Sequence, residues 1–213
     1  MRYFTPPPIR TVEELTEFLL ARSAYVAQKT SIDYCRGKTG THARAMFKEK
    51  PFQEALNFCR WEGMAIVLSD LLVIIEGDLR RRPEFPDARV SPRLGALFAE
   101  VLARHPLPAH RPQGWGDAIA AFQARFAAAC ASRPRPAMEV AETAAARMFE
   151  VLPIHTNHRK FDFEIVRGAV VFHIVRTIDD FQARFHPELL PALAAAGHGM
   201  VGPAGFEPTT TPL

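Results

Sequence analysis

The sequence predicts an all-α fold, a single-domain bundle of about six helices with the third and the last helices at its centre. Three observations carry that expectation. Apolar residues recur at helical spacing through most of the chain, helix start and stop signals fall at the ends of those stretches, and no segment shows the clean alternation of a half-buried strand. Composition agrees: 48% of the residues are hydrophobic and 23% charged, as in ordinary globular proteins. A chain of 213 residues can bury one sizeable core, since folding at that size hides about 70% of the surface of the unfolded chain.

Thr11 and Glu14 have the spacing of a capping box, and Leu15, Phe18, Leu19 and Val26 follow with helical period. The first helix is therefore expected over 11–36, stopped by Gly37 and Gly40. A short helix over 41–50 comes next. Pro51 suits a first turn, and a long third helix runs from there through Trp61 and Leu72 to about Leu79. The stretch RRRPEFPDAR reads as a loop. Ser91-Pro92 joins a capping residue to a first-turn proline and opens a helix over 91–105, after which PLPAHRPQG breaks the chain. Alanine-rich stretches give two further helices over 118–131 and 138–152, separated by SRPRPA. The last helix is expected over 159–185, before Pro187. Within it VRGAVVFHIV would pass for a buried strand by itself, but its surroundings assign it to the helix.

The helical domain thus spans 11–198, preceded by an extended proline-rich segment (1–10). Residues 199–213 read differently. Gly205-Phe206-Glu207-Pro208 can be encoded by DNA containing GGTTCGAACC, the nearly palindromic T-arm sequence of bacterial transfer-RNA genes, and Met200-Val201 by DNA containing TGG. The expectation is a reading frame that runs antisense into such a gene, leaving a tail without function.

Several function classes fall away. The net charge of +3, from 26 basic and 23 acidic residues, gives no strong nucleic-acid signal. No apolar run reaches the roughly 20 residues of a membrane-spanning helix, and MRYFTPPPIR lacks the apolar segment of a secretory signal. Cys35, Cys59 and Cys130 are far apart and form no CxxC pair, which suits reduced thiols in a cytoplasmic protein. RGKTGTH contains a GKT core, but the first glycine of a phosphate-binding loop would fall on Ile32, inside a helix with no strand before it. Ser23, Tyr25 and Lys29 imitate the Ser…YxxxK set of short-chain dehydrogenases without any dinucleotide-binding βαβ unit. No serine sits in a GxSxG elbow. His155 and His158, near Asp162 and Glu164, lack the Glu-x-x-His repeat of di-iron bundles, so no metal and no cofactor are expected.

What remains is polar residues where a bland core needs none. Arg22 and Lys29 point into the apolar face that Leu15, Phe18, Leu19, Tyr25, Val26 and Ile32 form on the first helix, with Asp33 beside them. They either extend their stems to the rim or line a pocket with Tyr25, in which Lys29 and Asp33 pair at i,i+4. Asp70 interrupts the apolar third helix and needs a partner; His173 and Arg176 on the last helix are the candidates. Lys38, Thr39, Thr41 and Arg44 flank a helix start that favours an anion.

The block YVAQKTSIDYCRGKTGTHARAMFKEKPFQEALNFCRWEGMAIVLSDL resembles a family of small helical bacterial proteins sometimes labelled esterase. The shared features are the AQK after an aromatic, Tyr34 followed by basic residues and Gly40, Met46-Phe47 and LSDL. The resemblance covers the first third of the chain, implies an all-helical fold, and draws attention to Lys29, Tyr34, Arg36, Gly40 and Asp70. Three function classes follow: a protein that holds a small anionic or amphipathic ligand in a polar-lined pocket between helices, a homo-oligomeric interaction module, and a hydrolase without the usual elbow.

Overall fold

The computed structural model describes residues 6–83 and 90–196. Among these residues the fold is all-helical, with six long helices, three short ones and a single 3-10 turn. The residue pair Ile9 and Phe185 forms an isolated bridge, and no strand is present among the described residues. The tail over 199–213 and the loop segment 84–89 lie outside the described residues.

Helix α1 (Val12–Thr39) opens with the expected capping box: the Glu14 amide donates to Thr11 Oγ1 at 3.1 Å, and the Thr11 amide donates to Glu14 Oε2 at 2.9 Å. Gly37 does not end it. The helix continues to Gly40, whose φ of 52° is the left-handed conformation that glycine adopts without strain. A 3-10 turn (Gly40–His42) and the four-residue α2 (Ala43–Met46) replace the helix expected over 41–50. The reason is Pro51. It has no N–H to give to the carbonyl of Phe47 four residues back, and that carbonyl accepts from Gln53 Nε2 at 2.9 Å instead. The chain restarts at Glu49, in extended backbone, as α3 (Lys50–Arg80).

Every residue of α3 from Gly63 to Leu79 is buried, so this helix is the centre of the domain. It packs along α1 and along α6 (Ala137–Val151), and it also meets α4 (Val90–Ala103) and α5 (Gly116–Cys130). Gly63 makes the close approach possible: a Cβ there would lie 2.7 Å from Met148 Sδ and 3.2 Å from Ala27 Cβ. After the single turn α7 (Thr156–Arg159) comes α8 (Phe163–Arg184), which differs from the expected central position. It lies mainly against α6 and α1 and buries one stripe (Val166, Val170, Ile174, Thr177, Ile178, Phe181), while Ile165 and Phe172 stay exposed. Its apolar character on both sides therefore reflects an uncovered face rather than a core position. Beyond Pro187 the chain adds α9 (Leu189–Ala196), which the sequence did not announce; Leu189, Leu190 and Leu193 are buried, and the helix packs on α4 and α1.

The start of the described chain is fastened to the end of α8. Ile9 is fully buried, its amide donates to the carbonyl of Arg184 at 2.7 Å, and its carbonyl accepts from the His186 amide at 3.2 Å. Arg184 Nε adds a bond to the carbonyl of Pro7 at 2.9 Å. Among the described residues no helix is long and apolar enough to cross a membrane.

Candidate functional site

Thr30, Tyr34 and Lys38 recur every four residues and so share one face of α1. That face and the first half of α8 form a cleft of about 490 Å³, closed on the α8 side by Asp162, Ile165, Val166, Ala169 and His173. Asp162 ties the two helices together: Tyr34 Oη donates to its Oδ2 at 2.8 Å, and Lys38 Nζ stands 2.6 Å from the same oxygen. The bonds from Lys38 and Tyr34 hold the Asp162 carboxyl below its usual range. Burial, followed by the neighbouring Asp162, pushes the Tyr34 hydroxyl far above its usual range, so it stays a donor. Asp33, which also lines the cleft, pairs with Lys29 at 2.5 Å, the i,i+4 contact expected from the sequence. His173 is made less basic by burial and then by Lys29, and its ring meets Tyr25 edge-on at 5.8 Å between centroids.

Two features of this cleft are not explained by packing. Thr30 is 2% exposed, and its Oγ1 has no hydrogen-bond partner among the described residues. A buried hydroxyl left in that state costs about 1–3 kcal/mol. Phe161, just before α8, and Ile165 and Phe172 on it are 85%, 67% and 60% exposed, and Ile165 also lines the cleft. Each carboxylate of the cleft is paired with a lysine, Asp33 with Lys29 outside the lining and Asp162 with Lys38 within it.

The other expected residues are elsewhere. Arg22 reaches Asp180 at 2.5 Å and lies over the Phe18 ring, so it extends to the rim of its helix and does not line the α1–α8 cleft. Arg36 is exposed and stacks over Phe47. The expected anion cradle does not assemble. Lys38 is neutralised by Asp162, Thr39 Oγ1 donates back to the Cys35 carbonyl at 2.8 Å, Thr41 and Arg44 are exposed, and α2 is a single turn. His155 accepts from the Asn157 amide and caps α7.

Asp70 is fully buried, as expected, but its partner is neither His173 nor Arg176. Its Oδ1 lies 2.5 Å from Arg125 Nη1 on α5, and its Oδ2 accepts the Ala144 amide of α6 at 2.9 Å. Arg176 is exposed on α8. The expectation failed because α6 stands where α8 was placed. The signal for the true partner was present: Arg125 is the sole basic residue of an alanine-rich helix.

Among the described residues no serine or cysteine side chain is hydrogen-bonded to a histidine; the nearest approach to a nucleophile pair is Ser31 Oγ with Cys59 Sγ, 3.1 Å apart and fully buried. Burial pushes the Cys35 thiol up to about 12 and the Cys59 thiol up to about 11, which leaves both unreactive. Compared with models of protein families, with curated proteins and with solved structures, the chain matches none.

Proposed function

We propose that this protein binds a small amphipathic molecule in the cleft between α1 and α8, with its apolar body on Ile165, Val166 and Ala169 and a hydroxyl or carbonyl head at Thr30. The observation that carries this reading is the cleft itself, with Ile165, Val166 and Ala169 on one side and Thr30 in its wall, whose buried Oγ1 has no hydrogen-bond partner among the described residues. Balanced charge favours the amphipathic class over a purely anionic ligand, since both lysines already face carboxylates. The test is native mass spectrometry of the full chain purified without added ligand, combined with titration of a neutral, carbonyl-bearing naphthalene dye. A bound non-protein mass and bright dye fluorescence, both lost in Ala169→Trp and weakened in Thr30→Val, support the reading. Neither a bound mass nor dye binding sensitive to Ala169→Trp would overturn it.

The exposed row of Phe161, Ile165 and Phe172 supports a second reading, a homodimer that joins along α8. Sedimentation velocity separates the two. A dimer that Ile165→Asp converts to a monomer assigns the apolar flank to self-association, whereas a monomer throughout leaves it to the ligand.

A further inference from the structure

The second half of α3 borders a cavity of another character, of about 400 Å³. Four arginines line it: Arg80 from α3, Arg125 from α5, and Arg133 and Arg135 from the turn between α5 and α6. Glu76 is the sole carboxylate among its lining residues.

Two of these arginines are fixed by the fold. Arg80 Nη1 and Nη2 donate to the carbonyls of Cys130 and Ala129, in the last turn of α5, at 2.5 and 3.1 Å, and Arg80 Nε stands 3.2 Å from Glu76. Arg125 Nη1 is held by Ser69 and Asp70, while its Nη2 is buried and has no partner among the described residues. The other two are exposed, and among the described residues neither makes an ion pair or a side-chain hydrogen bond. Gly77 seats their turn against α3, because a Cβ at that position would lie only 3.2 Å from Pro134 Cβ. With Glu76 set against Arg80 and Asp70 against Arg125, the charges of Arg133 and Arg135 are left over, among the described residues, at the mouth of a concave site.

We infer that this arginine pocket binds a small, multiply charged oxyanion, the phosphate or diphosphate group of a soluble molecule. Guanidinium groups present planar pairs of N–H donors that match such oxygens. Fixed arginines at the floor and unpaired ones at the mouth supply both orientation and attraction, and the concave shape suits a compact anion better than an extended surface. The inference is independent of the α1–α8 cleft, which shares no residue with this pocket.

Isothermal titration of the full chain with inorganic pyrophosphate tests it. Arg133→Gln/Arg135→Gln touches only exposed side chains and should weaken binding by about tenfold or more, with helical content and melting temperature of the ligand-free protein unchanged. The charge-matched control is Arg44→Gln/Lys48→Gln, two exposed residues near the opposite end of α3, and it should stay within about twofold of wild type. No binding at millimolar pyrophosphate would overturn the inference, and so would an equal loss in both double variants, which would signify diffuse attraction to net charge.

Discussion

Arg125 Nη1 lies 2.5 Å from Asp70 Oδ1 and donates to Ser69 Oγ at 2.6 Å, so a single guanidinium from α5 answers the two adjacent polar residues in the middle of the buried run of α3. Removing it strands a carboxylate in the core. Arg125→Met should cost about 3–5 kcal/mol in urea unfolding at pH 7, and Asp70→Asn/Arg125→Met should recover much of that loss. Equal losses in the single and double variants would mean that Arg125 acts by packing rather than by charge.

The same pair gives a pH dependence. Burial pushes the Asp70 carboxyl from 3.8 up to about 6, against the opposing effects of Arg125 and the Ala144 amide. A carboxyl raised in the folded state binds its proton more readily there than in the unfolded chain. Its contribution to stability is therefore complete below about pH 4 and is lost as pH rises through about 6. Wild type should lose stability relative to Asp70→Asn between those values, by on the order of 3 kcal/mol. The opposite slope would show that Arg125 outweighs burial.

Tyr34→Phe removes one of the two donors to Asp162 Oδ2 and leaves Lys38 in place. The pKa of Asp162, followed by carboxyl carbon NMR, should rise toward the ordinary value while the helices stay formed. An unmoved Asp162 would assign its whole depression to Lys38.

Gly63→Ala sets two effects against each other. Alanine favours a helix interior by about 1 kcal/mol over glycine, but the new methyl group would press on Met148 Sδ and Ala27 Cβ in a core where overpacking costs about 1–3 kcal/mol. Net destabilisation is expected. In a Met148→Ala background, where the sulfur is gone, the same change should become neutral or stabilising.

Local signals made most of the fold legible. The capping box at Thr11, the proline at 51 and the alanine-rich periods each produced a helix close to its expected place, because backbone bonding and apolar spacing are properties of neighbouring residues. Placement in space was less legible. The last long helix was expected at the centre and lies against α6 and α1 instead, and Asp70 pairs with α5 rather than α8, because helix order along the chain does not say which helix lies next to which. The candidate cleft was half visible. Tyr34, Asp33, Lys38 and His173 carry signals in the sequence, though in separate sets, whereas Thr30 carries none of its own. Its i,i+4 relation to Tyr34 and Lys38 is the pattern that would have joined them. The arginines at 133 and 135 looked like part of a linker, and only the approach of Pro134 to Gly77 makes them the wall of a pocket.

The bonds that fasten Ile9 to Arg184 and His186 give the domain an uneven response to mechanical load. Tension applied at residues 9 and 186 would run across a few backbone hydrogen bonds and the buried Ile9 side chain, while the helices between them stay slack. The clasp would yield as one event before any helix is stretched, and resistance to pulling would report on that junction rather than on the stability of the bundle.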